Sequence, residues 1–179
     1  LSSNNIRFRA LAPNASLAFF IKGVVNQSGC TQVGEEVVWK FTTFSDESKL
    51  NKNGNNLTKI STAGWDQGAA SYNTVSNNGY LEFVAQETNK ARVIGLSNVF
   101  SGPGFTSIQF GIFLRSNATI GIYESGTSVA SLGAYASGDI FRIAVETGIV
   151  KYYQNGSLLY TSSLTPSLPL FAHASLNDI

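Results

Sequence analysis

Apolar and polar residues alternate in short runs bounded by Gly, Asn and Ser along most of the chain, and a helical period is nearly absent. A two-residue period places successive side chains on opposite faces of a strand, so the pattern predicts an all-β protein. Val37, Trp39 and Phe41 alternate with Val38, Lys40 and Thr42, which puts three large apolar groups on one face of an early strand. Tyr80 to Ala85 and Ala91 to Leu96 read as two more strands. The most regular run is Ser107 to Arg115. There Ile108, Phe110, Ile112 and Leu114 share one face while Gln109 and Arg115 mark the other, as expected of a central core strand. Ile120 and Ile122 begin the next strand across a turn at Ser116-Asn117-Ala118, so these two strands form a hairpin, and Glu124-Ser125-Gly126 ends the second of them.

Farther on, Phe141, Ile143 and Val145 alternate within Asp139 to Glu146, Thr147-Gly148 turns the chain, and Ile149 to Tyr153 runs back. Asn155-Gly156 turns it again, because Asn and Gly tolerate the positive φ of tight hairpins, and Leu158 to Thr161 returns. Strands joined by such short turns are neighbours in an antiparallel meander. Tyr152 and Tyr153 point to opposite faces, so one of them is expected at the surface. At the amino-terminal end Ile6, Phe8, Ala10 and Ala12 alternate with Arg7, Arg9 and Leu11, and Leu17 to Ile21, including Phe19, forms a second apolar run. These look like one or two strands in search of a sheet.

A length of 179 residues suits one substantial core. Only 13% of residues are charged, so solubility comes mostly from Gly, Ser, Thr and Asn, the surface of a secreted or cell-surface protein. The net charge of +1 and the scattered placement of twelve Lys and Arg give no phosphate-binding footprint, so no nucleic-acid partner is expected. No apolar run approaches the roughly 20 residues of a membrane helix, so membrane insertion is not expected, and a start at Leu1 suggests that a leader has been removed. Cys30 is the lone cysteine, which leaves a buried free thiol or an intermolecular bridge as its alternatives. Asn-X-Ser/Thr sequons at Asn14, Asn26, Asn56, Asn117 and Asn155 are candidate N-glycosylation sites.

The stretch Ile140 to Glu146 followed by Gly148-Ile-Val-Lys-Tyr-Tyr-Gln-Asn-Gly-Ser-Leu-Leu-Tyr160 resembles the paired strands of concanavalin A-like modules, including laminin-G-like, SPRY-like and related bacterial surface modules. Thr165-Pro166-Ser167-Leu168-Pro169-Leu170 and Phe171 to Leu176 resemble the Pro-containing loop and strand that follow in such modules. Asn56-Leu-Thr-Lys-Ile60, Gly64-Trp65, Gly68-Ala-Ala-Ser71, Gly79-Tyr-Leu-Glu-Phe83 and Gly95-Leu-Ser-Asn98 are similar upstream. The resemblance covers roughly residues 35 to 176 and implies an antiparallel two-sheet jelly-roll sandwich over 35–179, with 1–34 as an amino-terminal extension. It implies little about activity, because this architecture hosts many functions. Such modules usually end with one further strand beside the first, whereas here the chain stops at Asn177-Asp178-Ile179.

Chemistry-bearing motifs are sparse. A glycosidase on this fold needs two carboxylates at strand spacing, and no Glu-X-Asp-X-X-Glu run exists; Glu82 and Glu87 straddle a turn and read as solvent-facing charges. His173 is the sole histidine and lies in a late strand with no nucleophile elbow nearby, so it reads as structural. Asp46, Asp66, Asp139 and Asp178 each stand alone, so no calcium site or other cofactor is expected. No catalytic machinery is expected either. For glycan binding the candidates are Trp65 with Asp66 and Gln67, and Phe105 in the Ser101-Gly102-Pro103-Gly104-Phe105 turn, although Trp65 also fits a packing role and the glycines a simple tight turn.

Two functions follow as expectations. The first is a non-catalytic structural protein whose copies assemble into a filament, with Ile6, Phe8, Ala10, Leu17, Phe19 and Ile21 as a donor strand filling a neighbour's or its own sheet. The alternative is a carbohydrate-binding or adhesion module built on Trp65, Asp66 and Phe105.

Overall fold

The computed structural model describes residues 17–23, 35–41 and 45–179. Ile6, Phe8, Ala10, Asn14, Asn26 and Cys30 lie outside those residues. The described chain forms two antiparallel sheets around one apolar core. Its strands are β1 (Leu17–Gly23), β2 (Glu35–Glu36), β3 (Trp39–Lys40), β4 (Leu50–Asn53), β5 (Asn56–Lys59), β6 (Gln67–Val75), β7 (Gly79–Val84) and β8 (Arg92–Ser97). After a 3-10 turn at Phe105–Ser107 come β9 (Phe110–Leu114), β10 (Thr119–Glu124), β11 (Thr127–Ala134), β12 (Ile140–Glu146), β13 (Ile149–Gln154), β14 (Ser157–Thr161) and β15 (Leu170–Leu176). One sheet runs β14-β13-β12-β7-β1-β5-β4, with β2 also on β1; the other runs β11-β10-β9-β8-β15-β6-β3.

The expected meander is present. Phe141, Ile143 and Val145 of β12 face the core, and β13 and β14 follow through turns at Thr147-Gly148 (φ 51 and 79) and Asn155-Gly156 (φ 51 and 81). Positive φ at both central residues marks the type I′ geometry whose twist matches paired strands. The expected β9–β10 hairpin is also present, with Ile112 opposite Ile122. On the core face of that sheet Phe83 stacks on its cross-strand neighbour Phe141 at 5.5 Å.

β1 lies inside its sheet. Phe19 to Gly23 pair with β7, while on the other edge Leu17 and Ala18 pair with β5 and Phe20 and Ile21 with β2. Phe19 and Ile21 stand in register with core-facing Phe83 and Leu81.

Three expectations need correction. The early strand is two short pieces: Glu35–Glu36 joins one sheet, Trp39–Lys40 joins the other, and the chain crosses between them. Val37 and Trp39 are buried there and Phe41 half-buried. Trp39 Nε1 donates to the Asn55 carbonyl (2.7 Å), tying the edge of one sheet to the β4–β5 turn of the other. Ile108 does not share the face of Phe110, Ile112 and Leu114, because the 3-10 turn delays the strand until Phe110. Its side chain instead fills the opposite face, where Gly95 and Gly111 stand side by side without side chains. Glu82 and Glu87 are not simply solvent-facing. Glu82 accepts from Arg142, whose guanidinium lies 4.1 Å from the Tyr80 ring centre, and Glu87 pairs with buried Arg92.

A Cβ at Gly95 would overlap the Phe110 carbonyl and the Ile108 side chain, and backbone cannot retreat cheaply. Gly95→Ala is therefore expected to lower unfolding free energy by about 2 kcal/mol or more, measured by urea titration.

Candidate functional site

The outer face of the seven-stranded sheet is built from two cross-strand rows. Tyr123, Gly111, Gly95, His173 and Ala70 form one; Gly121, Phe113, Val93, Ser175 and Gly68 form the next. The segment between β8 and β9 settles on these small positions. Ser175 Oγ donates to the Pro103 carbonyl (2.6 Å), and a Cβ on Gly68 would stand only 2.9 Å from that same oxygen. Ser107 Oγ donates to the Gly102 and Gly104 carbonyls (2.8 and 2.7 Å). Gly102-Pro103-Gly104 is thus part of a strap laid over the sheet, not a simple turn between strands.

The strap delivers Phe105 to a cluster of half-buried rings. Phe105 lies 4.8 Å from Trp65 and 5.8 Å from Tyr123, and Phe113 lies 5.3 Å from Trp65 and 5.4 Å from Tyr123, in tilted and edge-to-face contacts. Such pairs add about 0.5–1.5 kcal/mol each beyond burial. Arg115, at the end of β9, places its guanidinium 5.4 Å from the Phe113 ring centre.

Trp65 is held from behind. The side chain of Lys59 is fully buried, and its ammonium donates to Asp66 Oδ1 (2.6 Å), to the Gly64 carbonyl and to the Leu176 carbonyl (3.4 Å). Three donors thus meet three acceptors, two of them in the residues flanking Trp65. Gly64 N–H donates to the Asn177 carbonyl (3.0 Å). With the Asn177 amide oriented to satisfy both ends, its oxygen accepts from Trp65 Nε1 (3.0 Å) and its nitrogen donates to Asp178 (2.8 Å). The hydrogen bond from Lys59 holds the Asp66 carboxyl below its usual range, against the opposing effect of burial. Asp66 remains half-exposed and ionised at the edge of the ring cluster.

The glycan candidates Trp65, Asp66 and Phe105 are therefore brought together. Phe113, Tyr123 and Arg115 complete the group. Their signal was legible in principle, as two aromatics and a cation on the outward positions of β9 and β10, where a solvated sheet face would carry small polar groups.

Other sites behave differently. His173 is completely buried beneath the strap, beside Ser97 Oγ (3.0 Å from Nδ1), Ser107 and the ring of Phe100 (4.5 Å). Glu124 is buried and accepts from Tyr152 (3.0 Å), whose hydroxyl is pushed up by burial first and by Glu124 second. Tyr153 is half-buried and donates to Glu146 (3.0 Å). A small cavity of about 30 Å³ beside Lys59, Arg92 and Leu176 has room for a few water molecules at most. Among the described residues no three His, Cys, Asp or Glu side chains gather as a metal site, and no helix is long and apolar enough to cross a membrane. Of the sequons, Asn56 lies half-buried in β5 and Asn117 is exposed, its oxygen accepting from Thr119 (2.7 Å). Exposed Asn155 has its amide committed at both ends, to Ile140 N and to Asp139 (2.8 Å each).

No family model matches the chain, and no curated protein does. Solved structures do. The PSpry domain of TRIM65 aligns with a TM-score of 0.57 at 12% identity, over 79% of this chain and 85% of that one. Bacillus licheniformis beta-glucanase aligns at 0.50 and 13%, over 89% of this chain and 85% of that one. The class is thereby fixed: this is an antiparallel jelly-roll sandwich of the concanavalin A-like type, as the sequence led one to expect. At such identity the likeness speaks of fold alone.

Burial pushes the His173 imidazole down to about 3, with a hydrogen bond to the Gly102 carbonyl opposing. The unfolded chain, protonating near 6.5, then binds more protons than the folded one between pH 6.5 and about 3. Stability from this residue is complete above pH 6.5 and falls with decreasing pH by up to about 1.4 kcal/mol per pH unit. Unfolding free energies measured across that window are expected to show this slope, and the His173→Gln variant is expected to lose it.

Proposed function

We propose that this protein is a non-catalytic carbohydrate-binding module, and that Trp65, Phe105, Phe113 and Tyr123 are its platform. The observation that carries the reading is an aromatic cluster fixed before any ligand arrives: Trp65 is tethered through Lys59 and Asn177, and Phe105 through the strap. A pyranose ring offers an apolar C–H face and a rim of hydroxyls. Ring faces suit the first and a half-exposed Asp66 carboxylate suits the second. Rigidity matters because a weak contact survives only if little side-chain freedom is lost on binding. The other carboxylates named above serve structural partners, Glu82 with Arg142, Glu87 with Arg92, Glu124 with Tyr152 and Glu146 with Lys151, which supports binding rather than hydrolysis. A secreted or cell-surface setting fits a module of this kind.

A glycan array followed by titration through Trp fluorescence tests this. Saturable binding weakened at least about tenfold by Trp65→Ala is expected. Silence across the array would sink the reading.

A second reading, assembly by strand exchange, is favoured by one observation: β1 is an interior strand that no tight turn connects to β5 or β7. A strand so placed can be lent to another copy, closing that copy's sheet and leaving its own open to the next. The arm would carry Ile6, Phe8, Ala10, Leu17, Phe19 and Ile21, and the product would be a homopolymer. Electron microscopy of the native protein is expected to show polymers that disappear from a chain shortened by residues 1–23. Polymers that persist, or none in the native protein, argue against exchange.

A further inference from the structure

Arg115 differs from the other described arginines. Arg92 is paired with Glu87 and Arg142 with Glu82, whereas among the described residues no carboxylate reaches Arg115. Its guanidinium is nonetheless fixed. Nη1 donates to the Ile120 carbonyl (2.9 Å) and more weakly to Thr119 Oγ1 (3.4 Å), and the group lies beside the Phe113 ring. It occupies the space that Gly121 leaves empty: a Cβ there would stand 2.6 Å from Nη2 and 3.0 Å from the Tyr123 ring. The seat puts the guanidinium beside the Phe113 ring, over a gap at Gly121 that Tyr123 also borders. Nε and Nη2 have no acceptor among the described residues.

We infer that the platform takes a sugar bearing a carboxylate, of the uronic-acid class, and that Arg115 grips that carboxylate; the inference rests on the carbohydrate reading above. The Nε–Nη2 edge presents two parallel N–H groups, the spacing of the two oxygens of a carboxylate. A half-buried cation with no counter-charge is incompletely compensated, and an arriving anion restores the balance in a site where water screens weakly. Asp66 is already paired with the Lys59 ammonium, whereas Arg115 has no carboxylate partner among the described residues, so a ligand's acidic group is drawn to the Phe113 end of the cluster. Gly121 is the enabling residue, since any side chain would displace the guanidinium.

The test compares oligosaccharides of galacturonate, mannuronate and glucuronate with their carboxyl-reduced counterparts, which keep the ring and linkages and carry a neutral hydroxymethyl in place of each carboxylate, by calorimetry on the wild-type protein. At least one acid is expected to bind about tenfold tighter than its reduced form, with the difference shrinking as salt is raised. Arg115→Met is expected to erase that difference and Arg115→Lys to restore only part of it, because an ammonium keeps the charge and loses the fork. Thermal melts of both variants confirm folding, and the carboxyl-reduction comparison needs no variant at all. Equal affinity for acid and reduced forms, or acid binding unchanged in Arg115→Met, overturns the carboxylate inference while the carbohydrate reading stands. No binding by any oligosaccharide of either kind overturns both.

Discussion

Positions without a side chain on the outer face of the seven-stranded sheet govern what this molecule can present. Gly95 and Gly111, paired on adjacent strands, leave a depression that Ile108 fills, and Gly68 lets the Pro103 carbonyl come down onto the sheet. Interiors are packed to crystal-like density, so a depression of this shape selects one arrangement of the segment above it. The strap is fixed by that fit together with the hydroxyls of Ser107 and Ser175. Phe105 reaches Trp65, Phe113 and Tyr123 only because the strap lies where it does. The same fit encloses His173, which must stay neutral under the strap, and so links the platform's integrity to pH.

A buried ammonium is costly unless every donor is satisfied, and Lys59 meets that condition through two carbonyls and one carboxylate. Its partners belong to the loop before β6 and to the end of β15, so one side chain joins β5, the Trp65 loop and the carboxy-terminal strand. Asn177 and Asp178 add to this knot, the first through Gly64 and Trp65, the second by accepting from Ala91 N–H (2.5 Å). Rigidity at Trp65 is therefore supplied through its flanking residues and its indole N–H, while Phe105 and Phe113 pack on the ring itself.

The period-two pattern was enough to place the meander and the β9–β10 hairpin, because each joins close neighbours and carries a clean alternation of Phe, Ile and Val, whereas the strand over 171–176 was expected from the family resemblance. It failed where the chain changes sheet. Val37, Trp39 and Phe41 alternate correctly, yet the backbone passes from one sheet to the other between Glu36 and Trp39, a crossing that alternation does not register. β11 escaped notice because Thr127–Ala134 is an exposed edge with no apolar period. For the site, Trp65 and Phe105 could be singled out as aromatics among glycines and polar residues. Their meeting could not, since it depends on the depression at Gly95 and Gly111, and a glycine in a strand reads from sequence only as a weak point. Arg115 marked the polar face of β9, but the lack of a carboxylate beside it among the described residues is a property of three dimensions.

The platform and β1 occupy different sheets, and this separation bears on how the two readings relate. Trp65, Phe105, Phe113, Tyr123 and Arg115 belong to the seven-stranded sheet and its loops, whereas β1 pairs only with β2, β5 and β7 of the other. Passing β1 from copy to copy would leave each platform intact. A shallow half-buried ring cluster gives a single sugar site modest affinity, because few groups are desolvated and each hydroxyl exchanges one hydrogen bond for another. Repetition along an assembly changes that arithmetic, since the second site engages at the effective concentration set by the first. Sugar polymers are themselves repetitive, so assembly through one sheet and recognition through the other are compatible demands on the same fold.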